Sequence, residues 1–146
     1  MRGDDTFNVT LSDDSTTRIS YQGGYTGNAF QGVVADLATG IVSNDGFGDT
    51  DTINILGGNG RFTFRSTDFN DSITGSDRAE RFILEQGNDT LDGGLGEDTL
   101  RYDRSGVSEI NVDLIGGTVT GVWDGMISPT QCPMSRPSAA HAMALT

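Results

Sequence analysis

Six large apolar residues recur at an unbroken interval of nine: Ile55, Phe64, Ile73, Phe82, Leu91 and Leu100. A helix returns to its buried face roughly every 3.6 residues and a strand every two, so a ladder of nine belongs to neither. It is the period of a chain that coils into stacked parallel strands, two nonapeptides to the turn, with the repeated apolar residue inside. In an otherwise acidic and polar chain, this ladder predicts an all-β class.

Composition narrows the partners. The chain has 146 residues, a formal net charge of −12, nine basic residues that are all arginine, and 21 glycines. Nucleic acid is repelled at long range by such a charge, and cations are the natural partner. Apolar residues make up only 34% of the chain, which places it near the disordered corner of composition space unless something neutralises it. Cys132 stands alone, so no internal disulfide forms. No apolar run approaches the ~18 residues of a membrane helix, and Met1-Arg2-Gly3-Asp4-Asp5 has no apolar signal core. No nucleic acid partner and no membrane span are therefore expected.

The chain divides into five stretches. Residues 1–15 open with Gly3-Asp4-Asp5-Thr6-Phe7, half of a nonapeptide. Residues 16–54 form a β-rich linker, with Arg18-Ile19-Ser20-Tyr21, Val33-Val34-Ala35-Asp36-Leu37 and Ile41-Val42 separated by glycine-containing turns. Residues 55–101 hold the nine-residue ladder. Residues 102–125 echo the linker: Leu100-Arg101-Tyr102 repeats Ile19-Ser20-Tyr21. Asn111-Val112-Asp113-Leu114 repeats Val34-Ala35-Asp36-Leu37. Ile110, Val112 and Leu114 alternate with polar residues, and Gly116-Gly117 suits a hairpin turn. Residues 126–146 carry all three prolines, the lone cysteine and histidine, and no acid; they are predicted to be a disordered tail.

One nonapeptide is complete. Residues 93–101, Gly-Gly-Leu-Gly-Glu-Asp-Thr-Leu-Arg, fill every specified place of Gly-Gly-x-Gly-x-Asp-x-apolar-x. Residues 84–92 keep Gly87, Asp89 and Leu91; residues 75–83 keep Gly75 and Phe82 with Glu80 in the acidic place. Residues 66–74 keep Asp71 and Ile73, and residues 57–65 carry Phe62 where the acid belongs. This pattern resembles the hemolysin-type calcium-binding (RTX) repeat family, and the match covers about a third of the chain.

The resemblance implies a calcium-stabilised parallel β-roll with flanking short β-hairpins, secreted by a Gram-negative bacterium through type I export. Calcium takes six to eight oxygens, roughly, from carboxylates and backbone carbonyls. In the family, turns on the same side of the coil lie eighteen residues apart and share an ion. That implies a site between Asp71 and Asp89 on one edge and another between Glu80 and Asp98 on the other. Gly87, Gly93, Gly94 and Gly96 would shape the turns and lend carbonyls. Ile55, Ile73 and Leu91 would lie under one sheet, and Phe64, Phe82 and Leu100 under the other. Phe62 removes the acid from one further site.

Other readings of the same residues are weaker. The Gly93–Asp98 turn lacks the Gly-Lys-Ser/Thr of a phosphate loop. Arg2-Gly3-Asp4 spells an integrin tripeptide, but its Gly-Asp already belongs to the half repeat. Acid pairs such as Asp13-Asp14 are solvated turn residues, with no apolar pocket to tune them for acid–base work. The chain shows neither His-Glu-x-x-His nor Gly-x-Ser-x-Gly, so a non-catalytic module is expected, with neighbouring domains of a longer parent as partners. Two alternatives stand beside it: the C-terminal repeat region of a secreted metalloprotease or lipase, and a spacer of a calcium-dependent adhesin.

Overall fold

The protein is seen in a computed structural model. It describes residues 2–22 and 29–102 in full, and beyond them the backbone strands at 107–113, 118–123, 126–131 and 141–145. Among the described residues there are strands and no helix, so the all-β class holds and no helix is long and apolar enough to cross a membrane.

Strands β1 (Thr6–Thr10) and β2 (Thr16–Ser20) come first, followed by the hairpin of β3 (Val34–Asp36) and β4 (Ile41–Asn44). Six short strands then cover the ladder: β5 (Asp51–Gly57), β6 (Arg61–Arg65), β7 (Ser72–Thr74), β8 (Glu80–Ile83), β9 (Thr90–Asp92) and β10 (Gly96–Arg101). The last four are β11 (Val107–Asp113), β12 (Thr118–Trp123), β13 (Met126–Gln131) and β14 (His141–Leu145). They build two sheets. One has nine strands in the order β1-β5-β4-β3-β7-β9-β13-β12-β11, and the other five in the order β14-β10-β8-β6-β2.

Successive strands along the ladder alternate between the sheets, and this is what a nine-residue period produces. Phe64 stands opposite Phe82, and Phe82 opposite Leu100, in the five-stranded sheet. Ile73 stands opposite Leu91 in the nine-stranded sheet. Each pairing is parallel and spans eighteen residues, as the sequence predicts. Phe62, Phe64, Phe82, Leu91 and Leu100 are wholly buried, and Ile73 nearly so. At about 1.5–3 kcal/mol per large side chain, this column is the main favourable term in a thin core.

The ladder needs one correction. Ile55 is only half-buried, and Ile53, two residues earlier on the same face of β5, is the buried residue at 4% exposure. Ile55 does not stack on Ile73, because the hairpin β3–β4 is wedged between β5 and β7. Val42 and Ala35 of that wedge, both buried, carry the core across the gap.

A second regularity lies in the strand order. The run β1-β5-β4-β3 recurs as β9-β13-β12-β11. In both runs the first pair is parallel and the next two are antiparallel. In the other sheet, β2 pairs with β6 and β10 with β14, both parallel and both across 45 residues (Thr16 with Arg61, Gly96 with His141). The echo between the linker and residues 102–125 is thus one part of a larger tandem unit, with β7 and β8 as a plain turn between the copies. Within 126–146, predicted to be disordered, the structure places β13 against β12 and β14 against β10. The open edges of β12 and β10 supply backbone partners that these segments satisfy, whatever their composition. Residues 132–140 lie outside the described residues.

Candidate functional site

The acid of each nonapeptide falls where the chain enters a strand. Asp71 leads into β7 and Asp89 into β9, both strands of the nine-stranded sheet; Glu80 opens β8, and Asp98 lies within β10, in the five-stranded sheet. The two pairs therefore occupy opposite edges. Along each edge, strand stacking brings the eighteen-residue partners together.

The contact takes the same form at both edges. The backbone N–H of Asp71 donates to Asp89 Oδ1 at 3.1 Å, and the backbone N–H of Glu80 donates to Asp98 Oδ1 at 2.9 Å. Each acid reaches back and accepts from the acid of the preceding rung. Asp71 does the same one step further, accepting from Val33 N–H at 2.7 Å. Thr67 completes its shell: the hydroxyl donates to Oδ1 at 2.6 Å and the N–H to Oδ2 at 3.1 Å. Glu80 accepts at Oε2 from Ser76 N–H at 2.9 Å, and at Oε1 from the Ser76 hydroxyl.

These carboxylates are deeply buried, at 3% exposure for Asp71, 1% for Asp89, 2% for Glu80 and 3% for Asp98. Burial, with the charge of Asp71 beside it, pushes the Asp89 carboxyl up to about 8. Burial, reinforced by Asp98, pushes Glu80 up to about 7 against the hydrogen bonds from Ser76. Burial also raises Asp71. Buried charge without a counter-charge costs several kcal/mol, roughly, and is retained only where something compensates it. At Asp89 the deficit is visible as an atom: Oδ2 is buried and has no hydrogen-bond partner.

The glycines do what the repeat asks of them. Gly87, Gly94 and Gly96 have φ of +123°, +76° and +110°, which lets the turns reverse. A Cβ on Gly96 would strike the carbonyl of Arg78, and one on Gly87 the carbonyl of Phe69. Gly93 is buried and has no positive φ, but its carbonyl packs directly against Gly75. Glycine at these places lets the backbones of neighbouring turns pack in close contact.

Among the described residues, no three His, Cys, Asp or Glu side chains converge as a group able to hold a metal ion. The acids come in pairs, so the rest of any coordination shell falls to backbone carbonyls, which calcium accepts and zinc does not favour. With an orphaned carboxylate oxygen and paired acids, the residues present offer oxygen donors of the kind a hard cation of flexible geometry accepts. The Asp71/Asp89 edge fits best.

A third acid pair escapes the nine-residue count. Asp5 N–H donates to Asp51 Oδ1 at 2.9 Å, the same rung-to-rung bond but across 46 residues. Asp51 is buried, and its Oδ2 accepts from the Tyr21 hydroxyl at 3.1 Å. Asp45, also buried, accepts at Oδ1 from the N–H groups of Phe47 and Asp49. The signal was present as Asp51-Thr52-Ile53, an acid two places before an apolar residue. It lay hidden because the ladder is counted through Ile55. At the place of Phe62, the structure puts a fully buried ring opposite Glu80 in the strand register. Compared with known proteins, the chain matches no family model and no curated protein.

Proposed function

We propose that this chain is a calcium-binding β-roll module of a secreted bacterial repeat protein, folding when it meets calcium outside the cell. The observation that carries the reading is Asp89, a carboxylate at 1% exposure beside a second buried acid, with one oxygen unpartnered. Asp71 and Asp89 would hold one ion and Glu80 and Asp98 a second. Carbonyls exposed by Gly87, Gly93, Gly94 and Gly96 would complete the shells. The ion supplies positive charge where the fold has gathered negative charge. Without it the turn carboxylates repel, and the thin core provides little to offset them.

Binding is then coupled to folding, because the site exists only when the rungs are stacked. Extracellular calcium modules bind at about 10⁻⁴–10⁻³ M. Such an affinity leaves the chain unfolded where calcium is scarce and folded where it is abundant. The proposed work is structural, not catalytic.

Far-UV circular dichroism during a calcium titration from zero to ~10 mM, with magnesium as control, tests this. The expected outcome is a cooperative gain of β signal with calcium alone. Full β signal in the presence of a chelator, unchanged by calcium, would overturn it.

A further inference from the structure

The two sheets divide the charge of the chain between them. No strand of the nine-stranded sheet contains an arginine, whereas β2, β6, β8 and β10 of the other contain five of the nine: Arg18, Arg61, Arg65, Arg81 and Arg101. All five lie on one face. In β6, Phe62 and Phe64 point into the core, so Arg61, Thr63 and Arg65 point out. The register carries the same phase across the sheet. Arg18 and Arg81 stand opposite Thr63, and Arg65 and Arg101 stand opposite Ile83. Among the described residues, the acids that share this face are Glu85, which is paired with Arg65, and Glu97 on β10.

Thr63 sits at the centre of this arrangement. Arg18 and Arg81 flank it across the sheet at the strand spacing of about 5 Å, and Arg61 and Arg65 flank it along β6 at about 6.6 Å. Arg18 and Arg61 are exposed and, among the described residues, have neither a side-chain hydrogen bond nor an ion pair. A second observation is independent of charge. Thr63 is 2% exposed although it belongs to the outward face, and its hydroxyl has no hydrogen-bond partner. The long stems of the flanking arginines account for that burial, with their charged heads held further out. A buried hydroxyl without a partner is costly, and it is kept where the partner comes from outside the chain.

We propose that this face binds a doubly charged oxyanion, a sulfate or phosphate group, over Thr63. The hydroxyl donates to one oxygen, and Arg18 and Arg61 turn their guanidinium forks onto the others, the geometry in which arginine pairs best. Arg65 and Arg81 add positive potential around the same point. One ligand group thus supplies both the negative charge that clustered arginines call for and the acceptor that the hydroxyl lacks. The net charge of −12 does not prevent this, because at physiological salt charges more than about 8 Å away are largely screened. A nucleic-acid strand is a poorer occupant, since no aromatic side chain in β2, β6, β8 or β10 points outward for bases to stack on. The face is separate from the acid pairs, and its binding is measured in whatever condition circular dichroism shows the chain folded.

Amide NMR during a titration with sodium sulfate, at an ionic strength held constant with sodium chloride, tests the proposal. The expected result is a saturable shift of signals from β2, β6 and β8, centred on Thr63, that chloride alone does not produce. A second titration with glucose 6-phosphate ranks an ester phosphate against sulfate; saturable binding of either at Thr63 supports the site. Thr63→Val keeps the shape of the side chain and removes the hydroxyl, and should bind several-fold more weakly. Arg18→Gln with Arg61→Gln should bind about tenfold more weakly, or worse, with its β signal unchanged. Arg2→Gln with Arg78→Gln removes the same charge elsewhere and should bind as the wild type does. If Thr63→Val fails to fold, the Arg18/Arg61 pair decides alone. Shifts no larger than those in chloride, shifts centred away from Thr63, or an Arg18/Arg61 double variant with wild-type binding would each overturn the proposal.

Discussion

Asp89 and Asp51 make the same bond in two different settings. Each accepts a backbone N–H from the acid of the neighbouring rung. Between Asp71 and Asp89 the chain takes eighteen residues to return; between Asp5 and Asp51 it takes forty-six and makes a hairpin on the way. The stacking is indifferent to the detour, because loop-closure entropy grows only slowly with length. What differs is the second oxygen. At Asp51 the Tyr21 hydroxyl fills it, whereas at Asp89 nothing does. The Asp51 carboxylate is satisfied by the protein itself, whereas Asp89 Oδ2, like Asp5 Oδ2 beside Asp51, is buried without a partner.

The largest effect tests the frame that both edges share. Phe82 is fully buried between Phe64 and Leu100 in the strand register. Phe82→Ala should destabilise the folded chain by about 3–5 kcal/mol, read by denaturant titration in calcium. A loss below ~1 kcal/mol would mean that the column is not the core.

Next comes the open edge. Asp89→Ala should weaken calcium binding at least tenfold in calorimetry and push the folding midpoint to higher calcium. Asp13→Ala, on an exposed turn, should change neither. Equal effects would end the distinction between paired and solvated acids. Asp51→Ala should lower stability while leaving the calcium midpoint closer to that of the wild type than Asp89→Ala does.

Acidity separates the same two states with a definite sign. The folded values of Asp89, about 8, and Glu80, about 7, lie above the ordinary carboxylate values of 3.8 and 4.5. Between those limits the folded chain binds more protons than the unfolded chain, so metal-free stability falls as pH rises. The contribution is complete below the ordinary values and lost as pH climbs through the folded ones. In chelator, where the unfolded chain predominates, the folded fraction read by circular dichroism should therefore rise as pH falls from 8 to 5. Calcium affinity should move the opposite way, since protons compete for its ligands. A metal-free β signal that rises toward pH 8 would contradict the burial of uncompensated acids.

Much of this edge was legible in the chain. The nine-residue count locates Phe64, Ile73, Phe82, Leu91 and Leu100 because period and rung are the same physical length, and the acid two places before each of the last four follows. Ile55 misleads because β5 and β6 each turn two apolar residues inward, Ile53 with Ile55 and Phe62 with Phe64, so between these two strands nine-residue counting fits either phase. Only burial decides between them. The Asp5/Asp51 pair is invisible to a period because the wedge β3–β4 lengthens the return. β13 and β14 are invisible because they follow from the edges they join, and Pro129 within β13 argues locally against a strand.

Tyr21 gives the smallest and most discriminating change. Its hydroxyl is the atom that distinguishes the Asp51 carboxylate from that of Asp89, and burial together with Asp51 and Asp45 raises its own ionisation far above the ordinary range, so it acts only as a donor. Tyr21→Phe keeps the ring, which lies 5.4 Å from that of Phe64, and removes the donor. Asp51 Oδ2 is then left buried and unpaired, at a cost of about 1–3 kcal/mol when calcium is just sufficient to fold the chain. In saturating calcium the loss should shrink, because the Asp51 carboxylate now resembles that of Asp89 and has an oxygen to offer. Chemical denaturation of both proteins, at limiting and at saturating calcium, isolates this coupling as a double difference. A loss of equal size in the two conditions would show that Tyr21 only packs, and that an open oxygen is not what makes an edge bind.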